Sequence, residues 1–246
     1  SLDYRHDPFM HVVDKNNNIW WTSRNNGVRT INATAPDAAY PAMKFNVDNA
    51  IAGEAVTTYF ASDIKEVKNE LWVSYTGTTG KGIYKLDHGG VYKGKFTTAI
   101  QSLPIRTFVV DTINNHIYFA INRAEAGLVV GVYRSNIDGS NIIPIDNGTV
   151  MGIGTGGFSN QGAANEHAYI TNIDIDVDKD GNGYVYYAYR ANTDVSGGSS
   201  GAIPTLGANA NNSGIKRHNL KNGSNTAEFL FKGYAPYGLA IDQTKR

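Results

Sequence analysis

Apolar and polar positions alternate in short runs along this chain, and glycine, asparagine and aspartate break the runs every few residues. Periodicity of two, with β-branched and aromatic residues enriched, predicts strands, and long helical periodicity is almost missing. The runs recur as one segment: an apolar strand, an acidic or amide turn, then an aromatic strand. The copies are HVVDKNNNIWWTS (11–23), FASDIKEVKNELWVSY (60–75), FVVDTINNHIYFAI (108–121) and IDVDKDGNGYVYYAY (175–189). Another copy starts at PYGLAIDQTKR (236–246).

A second segment follows each full copy: GVRTIN (27–32), GIYKLDHGG (82–90), GVYRSNIDGSN (131–141) and GIKRHNLKNGSN (214–225). Each reads as a third strand. A fourth apolar run comes next, AMKFNV, KFTTAI, NIIPID and AEFLFK in turn. The unit is therefore four antiparallel strands, the blade of a β-propeller. The expected fold is all-β: one propeller domain over 1–246, with blades near 8–50, 57–101, 104–148 and 169–232 and the first strand of a further blade at 236–246. Four full blades and one strand suit two outcomes. Either the strand closes a small ring, or a second polypeptide completes a larger one, such as a six-bladed ring, and removes the exposed sheet edges.

DVDKDG, with Asp176, Asp178, Asp180 and Gly181, opens like a calcium loop. Counted from Asp176, however, the twelfth residue is Tyr187 and not the bidentate Glu of an EF-hand. The same place in the other copies holds KNNN, IKEVKN and TINN, so a hairpin turn is the simpler expectation. Asp174, Asp176 and Asp178 alternate with apolar residues and line one face of a strand. Such a row faces a wet channel, pairs with cations, or holds a metal, with Ca2+ the ion that suits carboxylates.

The blade pattern resembles the YWTD repeat of low-density-lipoprotein-receptor type, and NHL and gluconolactonase-like propellers share much of it. The family's Tyr-Trp-Thr-Asp matches Trp20 to Ser23, Trp72 to Tyr75, Tyr118 to Ile121 and Tyr186 to Tyr189; its terminal Asp appears in none of them. A fainter resemblance is to the insect ommochrome-binding proteins, secreted pigment carriers. These resemblances imply a secreted or extracellular protein that binds a ligand without catalysis. The gluconolactonase-like one implies a metal-dependent hydrolase or lactonase instead, with the Asp174–Asp178 row as its metal site. A structural interaction scaffold is the third reading.

In a propeller, loops joining the second to the third strand and one blade to the next share a face. The two largest insertions, 151–168 and 193–214, fall on it. Ends of second strands and starts of first strands bring Arg24, Arg106, Arg123, Tyr169, Arg190 and Tyr237 there, with Phe158 and His167 from the first insertion. Arginine, histidine and aromatic groups at one mouth suit a planar or anionic small molecule, or a protein partner.

Composition narrows the rest. With 22 basic and 22 acidic residues the net charge is zero, which argues against a nucleic-acid binder. No apolar run reaches the ~20 residues of a membrane-spanning helix, so membrane insertion is not expected. Cysteine is absent, which removes disulfides and thiolate chemistry. GIGTGG (152–157) lacks the strand-to-helix setting of a dinucleotide loop. Sequons begin at Asn32, Asn147, Asn211 and Asn222, about as many as chance gives in so asparagine-rich a chain.

Overall fold

The computed structural model describes residues 8–23, 27–32, 34, 43–45, 61–77, 80–121, 123–147, 169–190, 214–232 and 238–242. The chain is an all-β protein of propeller type, with four four-stranded antiparallel sheets among these residues. It divides into two compact units, Ser1–Arg106 and Thr107–Arg246.

The first unit holds two blades. Blade one is β1 (Pro8–Val13), β2 (Asn18–Ser23), β3 (Gly27–Asn32) and β4 (Met43–Phe45), hydrogen-bonded in that order. Blade two is β5 (Ala61–Val67), β6 (Glu70–Thr76), β7 (Lys81–Leu86) and β8 (Tyr92–Lys95). Their shared core joins Trp20 and Val28 of blade one to Ile64, Val73, Tyr75 and Tyr84 of blade two.

The second unit holds the other two. Blade three is β9 (Ile105–Asp111), which begins just before the division, then β10 (His116–Ile121), β11 (Gly131–Asn136) and β12 (Ile143–Asn147). Blade four is β13 (Tyr169–Val177), β14 (Gly183–Arg190), β15 (Gly214–Asn219) and β16 (Glu228–Lys232). One core runs through both, from Val109, Tyr118 and Ala120 to Ile173, Val185 and Tyr187. Residues 238–242 carry no strand, but the Ile241 N–H donates to Asp174 Oδ2 at 2.8 Å.

Burial follows position in the blade. In β10 every residue from Ile117 to Ile121 is buried, so both faces of this inner strand are covered and its sequence is continuously apolar. The outermost β16 is exposed at four of its five positions, and it keeps charge at both ends, Glu228 and Lys232.

Glycine stands at the start of every third strand, first in β3, β11 and β15 as Gly27, Gly131 and Gly214 and second in β7 as Gly82. The reason is a close approach. A Cβ on Gly131 would lie 2.5 Å from the Asp146 carbonyl oxygen, and one on Gly214 would lie 1.9 Å from that of Phe231. Only a residue without Cβ lets the outer strand pair there.

The DVDKDG stretch is a turn. Asp178 accepts the N–H groups of Asp180 (2.9 Å) and Asn182 (2.8 Å), and Gly181 has φ +78°. Asp14 does the same for Asn16 and Asn18, and Asp111 for Ile113 and Asn114. Each is an aspartate that satisfies turn donors with its own carboxylate.

Candidate functional site

Of the eight residues predicted for the loop-rich face, Arg24, Phe158, His167 and Tyr237 lie outside the described residues, as do the insertions at 151–168 and 193–213. Arg106 is the second residue of β9, half-buried. Its backbone carbonyl accepts the Ser62 hydroxyl at 2.5 Å, and its Nη1 donates to the Ser62 Oγ at 3.3 Å. The guanidinium is thus anchored through β5 of blade two.

Arg123 follows β10. Its Nε donates to Glu125 Oε2 at 3.4 Å, with both side chains 30% exposed. Glu125 and Leu128 exchange backbone hydrogen bonds of 3.0 and 2.9 Å around Ala126 and Gly127, both at positive φ. This tight hairpin fixes where the Arg123 backbone leaves the blade. Tyr169 and Arg190 face each other in the register of β13 and β14, at the end of blade four where the two strands meet the insertions. Within the second unit, Arg123, Tyr169 and Arg190 therefore all sit at the same end of their sheets.

The acidic row is placed as the alternation requires. Asp174 stands opposite Tyr186 and Asp176 opposite Tyr184, while Asp178 lies just past β13 in the turn. Asp174 Oδ1 accepts the Ile175 N–H at 2.8 Å, and its Oδ2 holds Ile241. The backbone N–H of Asn182 and its side-chain amide keep the Asp178 carboxyl below the usual range. Among the described residues no group of three or more His, Asp or Glu side chains is gathered as a metal would need. Arg217 and Glu228 pair across this same face at 2.8 Å, and the Arg217 guanidinium lies 4.6 Å from the centre of the Tyr184 ring.

A polar cluster that the sequence did not announce lies between the two blades of the second unit. Asp146, on the outer strand of blade three, is fully buried. Lys216 Nζ and the Tyr187 hydroxyl of blade four both donate to its Oδ2. The Lys216 side chain is 5% exposed, and its ammonium lies 5.1 Å from the centre of the Phe229 ring and 5.4 Å from that of Tyr189. Asp146 Oδ1 has no hydrogen-bond partner among the described residues. Burial raises the Asp146 carboxyl, against the pull of the lysine and of both hydrogen bonds; burial and the adjacent carboxylate drive the Tyr187 hydroxyl well above its ordinary value.

The only sequence signal for this cluster is a departure from the repeat. Lys216 stands where the third strands of the other blades carry Arg29, Tyr84 and Tyr133. Asp146, opposite Val132, stands where blades one and four carry Phe45 and Phe231.

His218, two residues after Lys216 on β15, is buried, with its ring centre 6.5 Å from that of Tyr118 and its Nδ1 3.1 Å from the Thr226 hydroxyl. Burial, and then the nearby Arg134 charge, lower its pKa to about 4.

No family model matches the chain. No curated protein matches it either. Solved structures do. A chain of a nidogen/laminin complex is similar over 76% of this chain and 58% of its own, at 11% identity and TM-score 0.48. An extracellular domain from B. thetaiotaomicron is similar over 95% of this chain and 22% of its own, at 15% identity and TM-score 0.45. A computationally designed protein, Ika8, is similar over 93% and 62% at 7% identity and TM-score 0.41.

Proposed function

We propose that this chain is a non-enzymatic, extracellular binding propeller that presents its loop-rich face to a small planar or anionic molecule or to a protein. One observation carries the reading. The strand ends carry Arg123, Tyr169 and Arg190 at the same end of their sheets, and the two long insertions adjoin β13 and β14 in sequence. Rigid scaffolds that hold cations and aromatics at loop ends are suited to binding. The arginines offer forked donors to a carboxylate or phosphate, and the tyrosine offers a flat surface. Turnover would need a positioned nucleophile, base or metal, and the Asp174 and Asp178 carboxylates already accept backbone N–H groups.

Mass spectrometry of the purified protein under native conditions tests this. A small organic molecule or a second polypeptide that is retained natively, and lost with Arg123→Ala or Arg190→Ala, is the expected result. Retained calcium that Asp174→Asn releases would instead establish the metal-dependent hydrolase reading. A protein that retains nothing and takes up neither anionic aromatic compounds nor calcium would leave a structural scaffold.

A further inference from the structure

From the placement of Lys216 Nζ on the Asp146 carboxyl group, in a solvent-excluded aromatic setting with Tyr187 on the same oxygen, we infer that these two side chains form an intramolecular isopeptide cross-link between blades three and four.

Four observations converge on it. The partners are in contact and enclosed, the Asp146 side chain 0% and the Lys216 side chain 5% exposed. Their surroundings are the rings of Tyr187, Tyr189 and Phe229. Such a setting excludes the water that would compete for either group, and a neutral amine beside a neutral acid is the form that condenses. The two carboxyl oxygens are also unequal: Oδ2 takes both hydrogen bonds, and Oδ1 takes none among the described residues. Finally, the pair replaces residues that cannot react this way. Other blades have Arg29, Tyr84 or Tyr133 for the lysine and Phe45 or Phe231 for the aspartate.

The step needs no co-reactant. One proton of the Lys216 ammonium passes to Asp146 and comes to rest on Oδ1, which gives an amine and a carboxylic acid. The Nζ lone pair attacks Cγ while the Tyr187 hydroxyl donates to Oδ2, the oxygen that gains charge. A proton moves from the nitrogen to Oδ1, the Cγ–Oδ1 bond breaks, and water leaves. The C–N bond and the Cγ=Oδ2 carbonyl remain. In a chain without cysteine, such a bond supplies the covalent clamp that a disulfide gives elsewhere. It ties together blades three and four, which residues 148–168 join in sequence.

The mass of the full chain, purified folded and then denatured, decides the matter. The expected mass is one water below that of the sequence. Trypsin should leave the bond after Lys216 uncut and yield one branched peptide composed of 135–179 and 191–217. Lys216→Arg should restore the full sequence mass, because a guanidinium does not form this amide. A wild-type chain at full mass with cleavage after Lys216 overturns the cross-link. A missing water that persists in Lys216→Arg places the dehydration elsewhere and overturns it equally. Neither reading depends on how stable the variant is.

Discussion

Blade two and blade four answer the same packing problem with opposite chemistry. In both, the residue two places after the third strand's glycine is buried and stands opposite a buried residue of the second strand, Tyr84 against Val73 and Lys216 against Tyr187. Tyr84 meets Tyr75 edge to face, ring centres 5.2 Å apart, in an apolar core. Lys216 meets a carboxylate and a phenol. The repeat dictates the backbone place and the burial but leaves the group that fills it open. The apolar filling is tolerant, since losing one contact leaves other contacts behind. The Asp146–Lys216 filling is all or nothing, since removing either member loses the link and strands the other polar group away from water.

The sharpest way to break this contrast is Asp146→Ala. It removes the cross-link and leaves the Lys216 ammonium buried without a partner, and should cost at least the about 3–5 kcal/mol of a stranded buried charge, measured by urea unfolding. A loss below about 1 kcal/mol, the range of exposed ion pairs, would mean that the cluster is solvated and the contrast false.

Titration gives the next effect. His218 has a pKa near 4 when folded, against an ordinary 6.5, so the unfolded chain binds the proton more tightly. Stability should be at its full value above about pH 6.5 and fall as the pH drops toward 4, by up to about 3 kcal/mol. His218→Gln should flatten that part of the profile. A wild-type melting curve unchanged between pH 7 and pH 4 would show the imidazole to be accessible to water.

The smallest effect belongs to blade two. Tyr84→Leu removes an edge-to-face ring contact worth about 0.5–1.5 kcal/mol and should lower stability by little more than that. A loss as large as that of Asp146→Ala would erase the distinction between the two blades.

What the sequence reveals divides along the same line. Strand alternation, turn aspartates and the leading glycines are local signals, readable within a few residues, and the four sheets follow from them. Asp178 shows how one residue type supports two readings: its spacing suits a cation loop, but its oxygens close a hairpin on Asp180 and Asn182. Arg106 and Arg123 were legible as residues at strand ends, but their anchors at Ser62 and Glu125 depend on side-chain geometry. The Asp146–Lys216 contact joins positions 70 residues apart, and in isolation each looks like a solvated charge in a half-exposed strand. Only the registers of blades three and four bring the two together.

The turn aspartates also set an order of events. Asp14, Asp111 and Asp178 each bind backbone N–H groups two to four residues away. Such short-range closures cost little chain entropy, so these hairpins can nucleate in microseconds, before any blade has a neighbour. The link from Asp146 to Lys216 must await the docking of two finished sheets. Contacts that form late resist unfolding without hastening folding. A bond made there holds the assembled unit as a kinetic lock, and it leaves the route by which the chain first collapses unchanged.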